Sequence, residues 1–207
     1  MTLPDGLVRL GAPLPPEVTG EARLLARCAA ARVRVPTGGV LLDGHEDLGP
    51  LRRGEHVLLR VAGTTPAVRL PSDRAAVLAA GLRTVRLTAP EGLRADVLVL
   101  RSPRAVHAGR ADAGPGPTSV RAVEGEAHEL DAEANPRRLG LPRLERPWQR
   151  AHCGIDAWRT PLPPWAMRLS RLVRDVQQVV GTAACTLTWV DDGRACHLVG
   201  ITTTLDA

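Results

Sequence analysis

The sequence predicts an α+β protein built from helices and antiparallel or mixed strands, and three observations predict it. An amphipathic run opens at Pro163-Pro164-Trp165 and repeats Trp165, Leu169, Leu172, Val173, Val176 and Val180 at three- and four-residue steps, which is one helical face stopped by Gly181. Residues 184–190 and 194–202 then alternate in strand fashion around Asp191-Asp192-Gly193, the pattern of a β-hairpin. Upstream, apolar runs such as Val40-Leu41-Leu42 and His56-Val57-Leu58-Leu59-Arg60-Val61-Ala62 are short and bounded by Pro and Gly, as strands are.

In chain order, residues 1–18 are Pro-rich and lack a period, so an irregular N-terminal arm is expected. A helix follows over 19–33, with Thr19 as N-cap and Leu24, Leu25, Cys28 and Ala29 on its inner face. Ser72 caps a second helix that closes at Gly81 or just after, and strands are expected at 84–88 and 95–101. Ala113-Gly114-Pro115-Gly116-Pro117 is a loop tip, because prolines remove the amides that a phosphate cradle needs. Residues 118–123 and 126–130 read as a hairpin around Glu124-Gly125, and the six prolines of 131–164 mark an irregular segment.

The loop of the last hairpin decides which side chains share a face. A three-residue loop with Gly193 left-handed groups Leu187, Trp189, Ala195, Val199 and Ile201 on an apolar face with His197, and puts Thr186, Thr188, Cys196, Leu198, Gly200 and Thr202 on the other. A two-residue loop at Asp192-Gly193 groups Cys185, Leu187 and Trp189 with Cys196 and Leu198 instead. The first is expected, since its apolar face is fuller. Leu187 and Trp189 should then pack on the 163–180 helix.

A chain of 207 residues is long enough for one domain or for two small lobes sharing a cleft, and 44% hydrophobic residues permit a core. Lysine, Phe and Tyr are absent and all 27 basic residues are Arg, which reads as a G+C-rich coding bias. A net charge of +5 favours anionic partners. Acidic residues interleave with the arginines along the chain, however, and no aromatic-rich RNA-binding motif or zinc-finger spacing is present, so nucleic acid is the minority expectation. Cys28, Cys153, Cys185 and Cys196 have no metal-ligand spacing and read as small buried hydrophobes. His152-Cys153 are adjacent, but sequence neighbours rarely point at each other, so a thiolate–base pair is not expected there. No apolar h-region follows Pro4 and Asp5 and no run is long enough to span a membrane, so the expected setting is cytoplasmic.

Two segments resemble a known family. Thr186-Leu187-Thr188-Trp189-Val190-Asp191-Asp192-Gly193, then Leu198-Val199-Gly200-Ile201-Thr202, is similar to D-I-E-W-A-D-D-G and L-V-Q-I-R-P at the end of the nucleotide-binding domain of phosphoenolpyruvate synthase and pyruvate phosphate dikinase. Residues 20–42 resemble that family's G-G-K-A-x-x-L-A-x-L-x-x-A-G-L-P-V-P-P-G-F-V-L. The match is thinner between these ends, where residues 98–109 are similar to V-L-V-Q-x-M-V-x-A-x-x-A-G-V. The resemblance implies an ATP-grasp-like fold over 19–207, in two small lobes. In that family a Glu and a Gln hold magnesium against ATP, while an Arg and a helix-start Lys contact the phosphates. Those positions fall here on Thr188, Gly200, Thr202 and Glu21. A carboxylate suits a vacant helix N-terminus but repels a triphosphate. Arg60 is a candidate for the family's strand arginine and a phosphate contact, with Arg69 as competitor.

The resemblance thus implies an inherited scaffold with lost ligands: a degenerate nucleotide-binding domain kept as a binding or regulatory module, a pseudoenzyme with weak ATP and magnesium binding at most. The alternative is a reduced ATP-dependent phosphotransferase acting in trans on a partner that carries the phosphohistidine or barrel domains. These domains are lacking here, so complete synthase activity is not expected. A basic nucleic-acid-associated protein is the third reading.

Overall fold

The computed structural model describes residues 6–18, 20–45, 48, 56–64, 67–72, 74–89, 96–126, 136–141, 162–181 and 184–203. Among these residues the architecture is α+β, as expected: three helices and two five-stranded sheets, every strand pair antiparallel. The chain divides into two compact units, residues 1–30 with 36–103 and residues 31–35 with 104–207.

The first unit holds β1 (Leu7–Arg9), α1 (Gly20–Ala30), β2 (Gly38–Leu41), β3 (His56–Val61), β4 (Val68–Pro71), α2 (Ala75–Arg86) and β5 (Val97–Arg101), with sheet order β1-β2-β5-β3-β4. The N-terminal arm is therefore not wholly irregular. Leu7 to Arg9 pair with β2, Leu7 opposite Leu41, because an apolar residue can join a sheet edge from a Pro-rich lead-in as well as from a periodic one. In α1 the buried positions are Glu21, Ala22, Leu25, Ala26 and Cys28, while Leu24 and Ala29 are only half-buried. The inner face is rotated from the expected one, and Thr19 lies outside the described residues.

Helix α2 corrects two expectations. It begins after Arg74 with no side-chain cap, and it runs through Gly81 to Arg86. Residues 84–86 are therefore helix where a strand was expected: Thr84-Val85-Arg86-Leu87-Thr88 does alternate, but Leu78, Leu82 and Val85 make a helical stripe buried against the sheet, and that stripe wins. Gly81 is not a stop signal. A Cβ there would lie 2.1 Å from Cδ1 of Leu70 on β4, so the glycine lets the helix approach the sheet. The core under α2 comprises Val57, Leu59, Val61, Leu78, Leu82, Val85, Val97 and Val99, with Leu7, Leu41 and Leu48.

The second unit holds β6 (His107–Ala113), β7 (Thr118–Glu124), β8 (Arg137–Leu141), α3 (Pro164–Val180), β9 (Cys185–Asp191) and β10 (Cys196–Thr203), with sheet order β10-β9-β6-β7-β8. The 114–117 loop turns β6 into β7, so residues 118–123 pair with β6 instead of 126–130. Of the latter, 127–130 lie outside the described residues. Residues 137–141 sit in the segment read as irregular and form the edge strand, where Arg137 and Arg138 suit an exposed rim.

Helix α3 has the expected extent, and its stripe holds as far as Val176, with Val180 half-buried. Trp165, Ala166, Leu169, Ser170, Leu172, Val173 and Val176 are buried, and Gly181 at φ +84° ends it. Its tryptophan lies on the hairpin as expected, the Trp165 and Trp189 rings stacking with centroids 5.1 Å apart.

The hairpin itself corrects the loop. Asp191 pairs with Cys196, leaving four loop residues, and a bulge between Leu198 and Gly200 shifts the register by one. On the turn side of the bulge Trp189 faces Leu198, so Cys196 and Leu198 join the core face as the two-residue loop would have had it. Beyond the bulge Leu187 faces Ile201, Thr188 faces Gly200 and Thr186 faces Thr202, the grouping of the three-residue loop. One extra residue lets each half of the strand bury its own apolar set.

Candidate functional site

In the first unit the chemistry gathers where α1 meets β3. Glu21 stands in the first turn of α1, where a carboxylate suits the positive end of the helix dipole. Arg60 lies on β3 opposite Leu98, on the sheet face away from the α2 core. Its Nη2 donates to Glu21 Oε1 at 2.7 Å and its Nη1 to Oε2 at 2.8 Å, a two-pronged ion pair. Gly63 donates its backbone N–H to Oε2 at 2.8 Å, and Arg60 Nη1 also donates to the Thr64 carbonyl at 2.9 Å. Gly63 has φ +83°, a conformation that glycine enters without a Cβ penalty, and this aims the amide inward. Glu21 is 4% exposed and Arg60 8%. The fork named as a candidate phosphate contact thus holds a carboxylate from its own chain. Arg69, its competitor, is exposed on β4.

In the second unit the structure brings together the other three positions. Thr188, Gly200 and Thr202 share the outer face of the β9–β10 hairpin, opposite the Trp165 and Trp189 stack. Thr188 is half-buried, Gly200 buried and Thr202 exposed. A magnesium site needs oxygen ligands, chiefly carboxylates. Here one hydroxyl, one hydrogen and a second hydroxyl stand in the row, so the residues present do not fit the ion. No group of three or more His, Cys, Asp or Glu among the described residues is gathered to hold a metal.

The sequence reading missed a second carboxylate–arginine fork, at the end of that hairpin. Asp191 is fully buried and takes Arg168 Nε on Oδ2 at 2.6 Å and Nη2 on Oδ1 at 2.7 Å. Gly193 N–H donates to Oδ1 at 3.0 Å, and the Cys196 thiol donates to Oδ2 at 3.3 Å. Burial pushes the Asp191 carboxyl up, but the Arg168, Cys196 and Gly193 hydrogen bonds and the Arg168 charge outweigh it and hold the group below the usual carboxylate range. The same hydrogen bond raises Arg168. Burial, then the neighbouring Asp191 charge, pushes the Cys196 thiol far up, so it is a neutral donor and not a nucleophile. The available signal was Arg168 three residues after Trp165 and four before Leu172, a spacing that sets it beside the apolar stripe.

The adjacent turn is tied by Asp192, whose Oδ1 accepts from Arg194 N at 2.8 Å and Ala195 N at 2.7 Å, while Oδ2 lies 3.1 Å from His197 Nε2. Burial raises its carboxyl, and the two amides together with His197 outweigh it and bring it net below the usual range. Cys28, Cys185 and Cys196 are buried, in line with their reading as small hydrophobes. His152 and Cys153 lie outside the described residues. No described helix is long and apolar enough to cross a membrane. Comparison with known protein families and with curated proteins gives no match.

Proposed function

We propose that the chain is a degenerate nucleotide-binding domain of the phosphoenolpyruvate synthase type, acting as a binding or regulatory module and not as a phosphotransferase. The observation that carries this reading is the Glu21–Arg60 fork. A guanidinium that would grip phosphate is saturated by a buried carboxylate from the helix start where the resemblance expects a phosphate-binding lysine. An anionic ligand would have to displace that carboxylate into a poorly solvated site, at a cost of several kcal/mol. The Thr188, Gly200 and Thr202 row supports the same reading, since it offers no carboxylate to a metal.

Calorimetry with Mg-ATP tests it. Charge-assisted contacts are worth about 1.5–3 kcal/mol each, so the loss of the phosphate lysine and the metal-side ligands predicts millimolar affinity or none. Micromolar binding that is lost in Arg60→Ala would overturn the proposal in favour of a reduced phosphotransferase.

A further inference from the structure

The outer face of the second sheet carries a feature that the degenerate-module reading does not use. Directly opposed residues of neighbouring strands point to one face, and the register puts Arg110 of β6 opposite Arg121 of β7, and Arg121 opposite Arg138 of β8. Three arginines therefore stand side by side on three adjacent strands. The row continues through Thr188 of β9, opposite Arg110, to Gly200 of β10. Its face is the one turned away from the Trp165 and Trp189 stack. Arg138 is exposed, and Arg110 and Arg121 are half-buried.

Like charges directly opposed across strands destabilise a sheet, and this row contains two such pairs in succession. Arg110 also makes an interaction within the chain. Asp112, a carboxylate on the same face, lies two residues along β6 and accepts on Oδ1 from Thr186 Oγ1 at 2.8 Å. With strands about 4.8 Å apart the row spans about 10 Å at the backbone. Flexible guanidinium arms on that base can converge on one compact polyanion, which would relieve the mutual repulsion and be bound in two-pronged fashion.

We propose that this arginine row binds a compact oligophosphate, such as a triphosphate chain, without a metal. The face favours such a ligand over single-stranded nucleic acid because among its described residues it carries no Phe, Tyr or Trp on which bases could stack. The site lies in the second unit, so it neither requires nor contradicts the closed Glu21–Arg60 fork in the first.

Calorimetry with inorganic tripolyphosphate in EDTA, on the full chain, tests the proposal. The wild type is expected to bind, with affinity that falls as salt rises. Arg121→Ala, the central member, should weaken it about tenfold or more, Arg121→Lys should recover part of the loss, and the exposed Arg69→Ala should leave it unchanged. Added magnesium should weaken binding, since it neutralises the ligand and finds no protein carboxylate in the row. The melting temperature of Arg121→Ala should equal or exceed that of the wild type, because a repulsive neighbour is removed; a fall would mean that Arg121 is structural and would overturn the assignment. No binding at low salt, or equal binding by Arg121→Ala and wild type, would also overturn it. An RNA oligonucleotide that binds far more tightly than tripolyphosphate, through the same arginines, would replace it with a nucleic-acid surface. Tight Mg-ATP binding indifferent to Arg121 would instead count against the degenerate-module reading alone.

Discussion

The two units each bury a carboxylate against an arginine fork, yet the forks differ in how much water reaches the arginine. Glu21 is held by Arg60 and by the Gly63 amide among its contacts, and the Arg60 side chain is 10% exposed. Asp191 is held by Arg168, the Gly193 amide and the Cys196 thiol, and the Arg168 side chain is 24% exposed. The first carboxylate joins a helix to a strand 39 residues away, and the second joins α3 to the hairpin that it covers, 23 residues away. A pair whose arginine already stands partly in water can lose it more cheaply. The difference teaches that a buried ion pair is only as critical as its surroundings are dry.

The largest expected effect follows from removing Arg60. Arg60→Ala leaves Glu21 buried without its cation and should cost about 3–5 kcal/mol in urea unfolding. The double change Glu21→Met with Arg60→Met should recover most of that loss, since two apolar groups can replace a buried pair. If the single change costs under 1 kcal/mol, the fork is not a closed pair in solution. Arg168→Ala should cost less, about 1.5–3 kcal/mol, because the Arg168 side chain is more exposed than that of Arg60 and Gly193 and Cys196 still donate to Asp191. Equal losses at the two sites would erase the distinction drawn between them.

The next test uses pH. The folded pKa values of Asp191 and Asp192 lie below the unfolded ones. Their contribution is therefore complete above the unfolded carboxylate value of about 3.9 and is lost as pH falls through the folded values. Stability should decline from about pH 4 downward, and Asp191→Asn should be less stable at neutral pH yet show a shallower acid limb. A limb unchanged by Asp191→Asn would assign the acid sensitivity elsewhere. The smallest effect belongs to the outer face. Thr188→Glu should change stability by no more than about 0.5 kcal/mol, since Thr188 is half-buried beside Arg110 and a carboxylate there gains a cross-strand partner. A loss as large as that expected for Arg60→Ala would mean that Thr188 faces the core.

Local pattern was enough for α3, the positions of most strands and the facing of Thr188, Gly200 and Thr202. A 3.6-residue stripe ended by Gly181, and period-two alternation on either side of Asp191-Asp192-Gly193, are each written within one segment and satisfied by that segment's own burial. The tertiary structure decided the rest. Gly81 and the helical fate of Thr84 depend on Leu70 and on the sheet under α2, partners that no local window contains. The bulge after Leu198 arises because the Trp189 to Leu198 contact and the Leu187 to Ile201 contact ask for different registers, and only packing against α3 makes both worthwhile. The same holds for charge. Arg110, Arg121 and Arg138 are scattered along the chain among acidic residues and become one row only through antiparallel pairing, just as Glu21 meets Arg60 only when α1 closes on β3. Periodicity records which face of an element is buried; which side chains from distant elements then meet is set by register, and register is a property of the whole sheet.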